Sequence, residues 1–582
     1  MKPDIRRSLP VALATLLIAT AAFAQWPTDP DENLLLGGGP GEQVVPHVAV
    51  VPAGDLAGAA YVGWYDSASG NYDVALQLVT YDGVPVFQEG GVTVSDQPQN
   101  SWVMDWSLAT GADGFAIVAF ADIRDGDSNI HVYRIDPDGS HAWGPDGVTL
   151  TDDADFKGPP CATVTSDGQV VVAWMESGAT TELRLQRLDA AGNVLLADGG
   201  VVVSEVGDDA PAGNLLVPTD GGDVILAYVP TYSFMSDRQI KAQRFDAGGS
   251  AVWPTSVMLM DDATLPMGHY FHLAPDGEGG ALITWDVAVG NAFDARVQRL
   301  AADGSEHLPH NGVHPEASGP DGQLEPSAVF DPATGAITMV YVDMNSTQSQ
   351  RGLHAQRFDA DGHRMWGDAG TVVLPRDGDL EVLPSLTLVG GEVLGMVQHQ
   401  PGGGYATDVI LAFGLADDGS PMWGGVIEAA STPSSKGDLW AVDNGVTMVG
   451  IWVDHRAGTP DVYAQNVNTD GTLGPTVVAI EDDPSSPAVP AAFAARPAYP
   501  NPFNPQTTIA FDLPRAAAVT LRIFDASGAR VGELVDGTRP AGAHTVTWDG
   551  TDATGRRLPS GVYYYHLVAG PRTVTGAMTM VK

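Results

Sequence analysis

The chain has 582 residues and a formal net charge of −44 at pH 7, because 28 lysines and arginines face 72 aspartates and glutamates. This balance argues against nucleic acid and anionic membranes as partners, since both require clustered cations on the protein. Charged residues make up only 17% of the chain and hydrophobic residues 44%, so a sizeable core can form. The 69 glycines and 42 prolines predict many turns between short strands.

The first 24 residues have the pattern of a secretory signal peptide. A basic start precedes an apolar stretch over residues 9–23, and small residues lead up to a cleavage site between Ala24 and Gln25. No other segment approaches the roughly 18 apolar residues of a membrane helix. The sequence therefore predicts an exported mature chain without a membrane span, located outside the cell or on its outer surface.

An internal repeat of about 55 residues organises the next 450 or so residues. Each copy contains an aspartate-rich turn that ends in glycine, preceded by an alternating polar and apolar segment and followed, in most copies, by an aromatic residue four positions later. This combination predicts a β-hairpin. The eight turn glycines are Gly83, Gly139, Gly192, Gly249, Gly304, Gly362, Gly419 and Gly471.

Two further strands precede the hairpin in each copy. One ends at an aromatic residue such as Trp64 or Trp174, and the other is rich in small residues. Units of four strands repeated four to eight times are typical of a β-propeller. We therefore predict an all-β chain with a propeller over residues 25–480, of about eight blades with seven as the alternative. A strand from residues 33–37 is expected to complete the final blade.

The repeat ends before a proline- and alanine-rich segment, residues 481–495, which we interpret as a linker. Residues 496–582 contain Tyr499-Pro-Asn-Pro-Phe-Asn-Pro, Trp548-Asp-Gly and Ser560-Gly-Val-Tyr-Tyr, in that order. This order resembles the C-terminal type IX secretion sorting domain and equally the immunoglobulin-like (Ig-like) domain of the flagellar hook-capping family. Alternating runs between turns predict a small antiparallel sandwich of about seven strands. The resemblance implies that residues 496–582 engage a secretion machinery.

The repeated Asp-x-x-Gly-x-x-x-Trp hairpin loosely resembles the Asp-box of sialidase-type propellers, although its aromatic lies four residues after the glycine instead of three. Sialidase chemistry would require an arginine triad, a tyrosine nucleophile and a carboxylate. The arginines of this chain recur mostly at one position of the third strand, which favours a structural role. A secreted carbohydrate-active enzyme of this type is therefore the alternative function.

Carboxylates recur after the second strand of the units, and a closed propeller would place them on one face. Three interpretations are open: turn capping with pairing to arginines such as Arg124 and Arg456, binding of a hard cation, or acid–base catalysis. The richest cluster, with the Asp-x-Asp-x-Asn spacing of a calcium loop, gives a candidate Ca²⁺ site. Its residues are Asp122, Asp125, Asp127 and Asn129.

The sequence as a whole predicts an exported, non-catalytic binding protein with an extracellular protein or a glycan as its partner. A structural component of the cell surface is a third possibility. No catalytic or cofactor-binding residues are assigned, and Ca²⁺ is the only cofactor that the residues suggest.

Overall fold

The computed structural model describes residues 25–99, 105–233, 236–269, 271–290, 292–316, 321–404, 406–475, 494–495, 498–513, 517–539, 542–552, 556–569 and 572–581. It divides the chain into two compact units, Met1–Thr476 and Val477–Lys582. The predicted signal peptide, including Ala24, and nearly all of the predicted linker lie outside the described residues. No helix of the described part is long and apolar enough to cross a membrane.

Eight antiparallel sheets form the first unit, and we number them as blades in chain order. Blades 1 to 4 run from the innermost to the outermost strand as follows. Blade 1 contains β2 Gln43–Val50, β3 Ala60–Asp66, β4 Asp73–Val79 and β5 Val92–Ser95, and blade 2 contains β6 Ser107–Thr110, β7 Ala116–Asp122, β8 Asn129–Ile135 and β9 Val148–Thr149. In blade 3, β10 Phe156–Lys157 and β11 Cys161–Val164 share the innermost position, followed by β12 Val170–Ser177, β13 Thr181–Leu188 and β14 Val201–Val202. Blade 4 contains β15 Ala212–Pro218, β16 Val224–Val229, β17 Ile240–Phe245 and β18 Val257–Met260.

Blades 5 to 8 follow in the same order. Blade 5 contains β19 His272–Pro275, β20 Ala281–Val289 and β21 Ala292–Leu300, and blade 6 contains β22 Gly322–Asp331, β23 Ala336–Met344, β24 Arg351–Phe358 and β25 Thr371–Asp377. Blade 7 contains β26 Leu380–Val389, β27 Glu392–Gln400, β28 Asp408–Leu415 and β29 Ile427–Ser434. Blade 8 contains β30 Lys436–Asp443, β31 Met448–Asp454, β32 Asp461–Val467 and β1 Leu34–Gly37. Three short 3-10 helices lie at Gly54–Leu56, Asp220–Gly222 and Pro401–Gly403.

Each sheet contacts the next along the chain, and β30 of blade 8 contacts β2 of blade 1. The sheets therefore form a closed β-propeller, and the predicted count of eight blades is confirmed. The predicted completion of the last blade is also confirmed, since β1 pairs with β32, with Leu34 opposite Ala464. Closure in this way removes the exposed strand edges that promote aggregation.

Among the described residues, blade 5 has three strands instead of the predicted four. Val313 lies where the fourth strand would run and exchanges two backbone hydrogen bonds with Val297 of β21, over 3.0 and 3.2 Å. Pro315 follows two residues later and has no N–H to donate to a ladder. The outer strand of this blade is therefore reduced to a single bridge.

The repeated aromatics pack between blades. The aromatics at the ends of the second strands are fully buried, and replacing one by alanine would cost about 3–5 kcal/mol. They include Trp64, Trp174, Trp285 and Trp452.

The aromatics after the hairpin glycines reach the hairpin of the following blade and donate from the indole nitrogen to its backbone. The donor and acceptor pairs are Trp143 and Ala190, Trp253 and Ala302, Trp366 and Asp417, and Trp423 and Thr469. Trp26, ahead of β1, makes the same contact with Tyr81 and so completes the ring.

The repeated glutamine of the third strand has a structural role that the pattern did not reveal. In blade 6 the Gln356 Nε2 donates to the carbonyl of Gly367 over 2.8 Å, and its Oε1 accepts from the N–H of Trp366 over 3.0 Å. Gln186 and Gln298 make the corresponding bonds in blades 3 and 5. The buried amide thus fixes the loop that carries the aromatic of the hairpin.

The second unit contains seven described strands in two sheets. They are β33 Ala494–Ala495, β34 Thr507–Leu513 and β37 Gly542–Trp548 in one sheet, and β36 Arg530–Arg539, β35 Ala517–Asp525, β38 Gly561–Ala569 and β39 Arg572–Met580 in the other. Phe503 of the asparagine–proline segment is buried against Trp548, with ring centroids 5.5 Å apart. Asn501 accepts the Thr579 N–H over 2.8 Å and donates to the Ala577 carbonyl over 2.9 Å. The predicted antiparallel sandwich is confirmed.

Candidate functional site

We call the end of the propeller where the innermost strands begin and the second strands end the near face, and the opposite end the far face. The predicted carboxylates Asp66, Asp122, Asp343 and Asp454 are the last or next-to-last residues of second strands, so they lie at the near face. Glu176 occupies the corresponding place in β12. The prediction that one face collects these carboxylates is therefore confirmed.

Most of these carboxylates are held in buried ion pairs. Arg124 donates to both oxygens of Asp122, with its terminal nitrogen 2.6 Å from Oδ2, and His131 Nε2 lies 3.2 Å from Oδ1. Although burial raises it, the hydrogen bonds from His131 and Arg124 keep the pKa of Asp122 below its usual range. Asp454 is paired in the same way with Arg456 and with the buried Lys436. The arrangement confirms turn capping with arginine pairing for these two aspartates.

The four residues of the candidate Ca²⁺ site have different surroundings. Asp125 and Asp127 are exposed, whereas Asp122 is fully buried with its cationic partners. The Asn129 side-chain oxygen accepts a hydrogen bond from Thr151 over 3.0 Å. Among the described residues, no group of three close ligand atoms includes these aspartates. Calcium binding here remains a prediction for experiment.

A second set of cations at the near face was missed by the sequence analysis. In five blades the residue directly opposite the second-strand aromatic, on the third strand, is basic and contacts a carboxylate. These basic residues are His131, Arg184, Lys241, Arg296 and His354, and their partners are Asp122, Glu176, Asp208, Asp262 and Asp343, at 2.6–3.3 Å. Arg184, Lys241 and Arg296 therefore neutralise part of the negative charge of this face.

Beside the propeller axis, blades 8, 1 and 2 bring together polar and aromatic side chains that are only partly used. We define the mouth cluster as His47 of β2, Asp105 ahead of β6, and Asp438 and Trp440 of β30. His47 Nε2 lies 3.3 Å from Asp105 Oδ1, and its ring stacks on Trp440 at 6.0 Å and 29°. Trp440 is 41% exposed, which is unusual for an indole on an innermost strand.

A feature of the β30 backbone sets the direction of the Asp438 side chain in the mouth cluster. Asp438 has φ 52° and follows Gly437, where the register between β30 and β31 shifts, so a β-bulge turns its side chain away from the ladder. Surrounding protein raises the pKa of Asp438, while the His47 imidazole and a hydrogen bond from the Val45 N–H lower it. The cluster thus offers an aromatic surface, an imidazole and two carboxyl groups, of which that of Asp438 has a raised pKa.

The only cysteine, Cys161, lies on the innermost strand of blade 3. Asn214 donates to its Sγ over 3.1 Å, and burial raises the pKa of the thiol to about 12. The thiol therefore stays protonated at neutral pH.

A family model described as the FlgD Ig-like domain matches residues 501–571. Among solved structures, the Dos1 propeller is 14% identical, with 75% of this chain and 95% of that chain covered and a TM-score of 0.41. An ulvan lyase of polysaccharide lyase family PL25 is 9% identical, with 77% and 97% covered and a TM-score of 0.38. A Hadza microbial sialidase is 15% identical, with 52% and 68% covered and a TM-score of 0.29. No curated protein matches the chain.

Proposed function

We propose that the protein is an exported, non-catalytic binding protein whose propeller takes a glycan at the mouth cluster. The observation that carries this proposal is the exposed Trp440 indole, stacked on His47 beside Asp105 and Asp438. An indole face buries the C–H surface of a sugar ring, and carboxylates accept hydrogen bonds from its hydroxyl groups. The other near-face carboxylates are less suited, since most already accept from cations.

A glycan array on the chain from Gln25 onwards tests this proposal. Binding to one glycan class is expected, and Trp440→Ala should weaken it by at least about tenfold, because burying a large apolar side chain contributes about 1.5–3 kcal/mol. Tyr81→Ala is the matched control, since Tyr81 is an exposed aromatic, 54% accessible, in a far-face hairpin. An array without any bound glycan, or equal loss in both variants, would contradict the proposal.

A carbohydrate-active enzyme is the second candidate, and the raised pKa of Asp438 beside Asp105 is the observation that favours it. A carboxyl group with a raised pKa can serve as the general acid of glycoside hydrolysis, and a second carboxyl group nearby as the base or nucleophile. A fluorogenic glycoside screen separates the two candidates. Turnover that Asp438→Asn abolishes would favour the enzyme, whereas glycan binding without turnover supports the binding protein.

Export rests on the sequence pattern of residues 1–24, and we propose that residues 496–582 act as the sorting module for the secretion machinery. N-terminal sequencing of the protein recovered from the host should begin at Gln25. Deletion of residues 496–582 should trap the chain inside the cell. Unchanged amounts at the cell surface or in the medium would contradict the sorting role and leave this module as an appended sandwich.

A further inference from the structure

The far face contains a chamber that the proposed function does not use. It has a volume of about 480 Å³ and lies between the turns that join the first and second strands of blades 2 to 5, with blade 1 adding Pro52. Its apolar wall is formed by Pro52, Phe115, Val164, Pro218 and Pro275. This volume is within the range of sites for small organic molecules.

Three carboxylates, those of Asp113, Asp167 and Asp220, also line the chamber, and all three residues are exposed. No lysine or arginine is among its lining residues. Asp167 accepts a hydrogen bond from the Thr165 hydroxyl over 2.5 Å, which fixes one of its oxygens. None of the three carboxylates forms an ion pair within the described residues, in contrast to the near-face carboxylates Asp122, Glu176 and Asp454.

The arginines behind the chamber wall do not cancel this charge. Arg134 lies over the Phe115 ring at 4.0 Å but is paired with Asp136, and Arg244 is paired with Asp223. Arg187 forms no ion pair with a carboxylate among the described residues, and Asp167 affects its pKa only by longer-range electrostatic attraction. One unpaired guanidinium against three carboxylates leaves the chamber with a net negative charge.

We propose that this chamber binds a small aliphatic amine, with the hydrocarbon body against the proline-rich wall and the ammonium groups at the aspartates. The charge sets the sign of the ligand, and the apolar wall excludes a bare metal ion as the best-fitting occupant. The ammonium can belong to a free amine or to a lysine side chain of a partner protein. This inference is independent of glycan binding, because the chamber lies among the far-face turns and shares no residue with the mouth cluster, whose His47 and Trp440 lie midway along innermost strands.

Titration calorimetry of the full mature chain with 1,6-diaminohexane tests the inference, and 1,6-hexanediol is the neutral probe of the same length. The diamine should bind with one site per chain, and the diol should not. Asp167→Asn combined with Asp220→Asn should weaken diamine binding about tenfold, because each charge pair contributes only modestly. Asparagine keeps the oxygen that accepts from Thr165, so the turn should be preserved. Asp138→Asn, in an exposed hairpin turn away from the chamber, should leave binding unchanged.

Comparison with N-acetyl-lysine amide distinguishes the two sources of the ammonium. Binding of the lysine amide with the same dependence on Asp167 and Asp220 indicates a protein partner, and binding of the diamine alone indicates a free amine. Equal binding of diol and diamine, unchanged affinity in the double variant, or no diamine binding at millimolar concentration would overturn the inference.

Discussion

The carboxylate of Glu325 accepts a hydrogen bond from the backbone N–H of Leu383 over 2.7 Å and thereby joins the innermost strands of blades 6 and 7. Both residues have positive φ, 49° and 53°, and each lies at a bulge that precedes a proline. Asp438 accepts from the Val45 N–H in the corresponding way between blades 8 and 1. A strained bulge is thus used repeatedly to connect neighbouring blades around the axis.

Replacing Glu325 by glutamine should stabilise the protein at neutral pH. Burial raises the pKa of Glu325 above its ordinary value, although the Leu383 N–H and Arg351 lower it in part. Since the folded protein holds this proton more tightly than the unfolded chain, ionisation of Glu325 destabilises the fold above its folded-state pKa and has no effect below about pH 4. Glu325→Gln keeps an oxygen for Leu383, so the free energy of unfolding should rise by up to about 1 kcal/mol at pH 7.

Urea unfolding across pH 4–8 measures this effect. The gain of Glu325→Gln should vanish at the acid end. Asp122→Asn is the control of opposite sign, because the pKa of Asp122 is lowered by His131 and Arg124 despite its burial. That variant should lose about 3–5 kcal/mol at pH 7 and less as the pH falls. A glutamine variant that is less stable than the parent at pH 7 would show that the ionised carboxylate is required.

The contact of Trp366 with the hairpin of blade 7 predicts a large effect at Gly419. This glycine has φ +84°, and a Cβ on it would lie 2.9 Å from the Trp366 ring. Gly419→Ala should therefore cost about 2–4 kcal/mol, from the left-handed backbone and the clash together. Gly424→Ala has φ +76° with open space around the Cβ and should cost only about 1–2 kcal/mol. Equal shifts in melting temperature would contradict the packing role of Trp366.

Blade 3 lacks a carboxylate that blade 4 has. Arg244 pairs with Asp223 over 2.9 Å, but Gln169 takes the matching position beside Arg187. Arg187 is fully buried, its Nε and one terminal nitrogen have no partner among the described residues, and burial lowers its pKa. Gln169→Asp should thus stabilise the protein by about 1 kcal/mol. Gln169→Asn, of equal size and neutral, should not; a gain in both variants would contradict the pairing argument.

Much of this fold could be predicted from the turns, because Asp-x-x-Gly and the aromatic after it keep a fixed spacing within each hairpin. The basic residues opposite the second-strand aromatics could not be predicted, because the loops between the second and third strands differ in length and these residues do not recur at a fixed spacing. His131 lies 11 residues after Phe120, Arg184 10 residues after Trp174, and Lys241 13 residues after Tyr228. The mouth cluster was hidden for another reason, since it joins residues nearly 400 positions apart across the closure of the ring.

Calcium binding by Asp125 and Asp127 gives a further test. Millimolar Ca²⁺ should raise the melting temperature by a few degrees, because a ligand that binds only the folded state stabilises it. Asp127→Asn should remove the shift, since hard cations need charged oxygen ligands. Asp138→Asn, an exposed turn aspartate of the far face, should not. Titration calorimetry without heat at millimolar Ca²⁺ would rule out the site.

The central claim is that the mouth cluster binds a ligand through Trp440, and calorimetry with the best glycan from the array tests it most directly. We expect one site per chain and an affinity at least about tenfold weaker in Trp440→Ala, with unchanged melting temperature because the indole is half-exposed. Equal affinity of the parent chain and Trp440→Ala would contradict the claim.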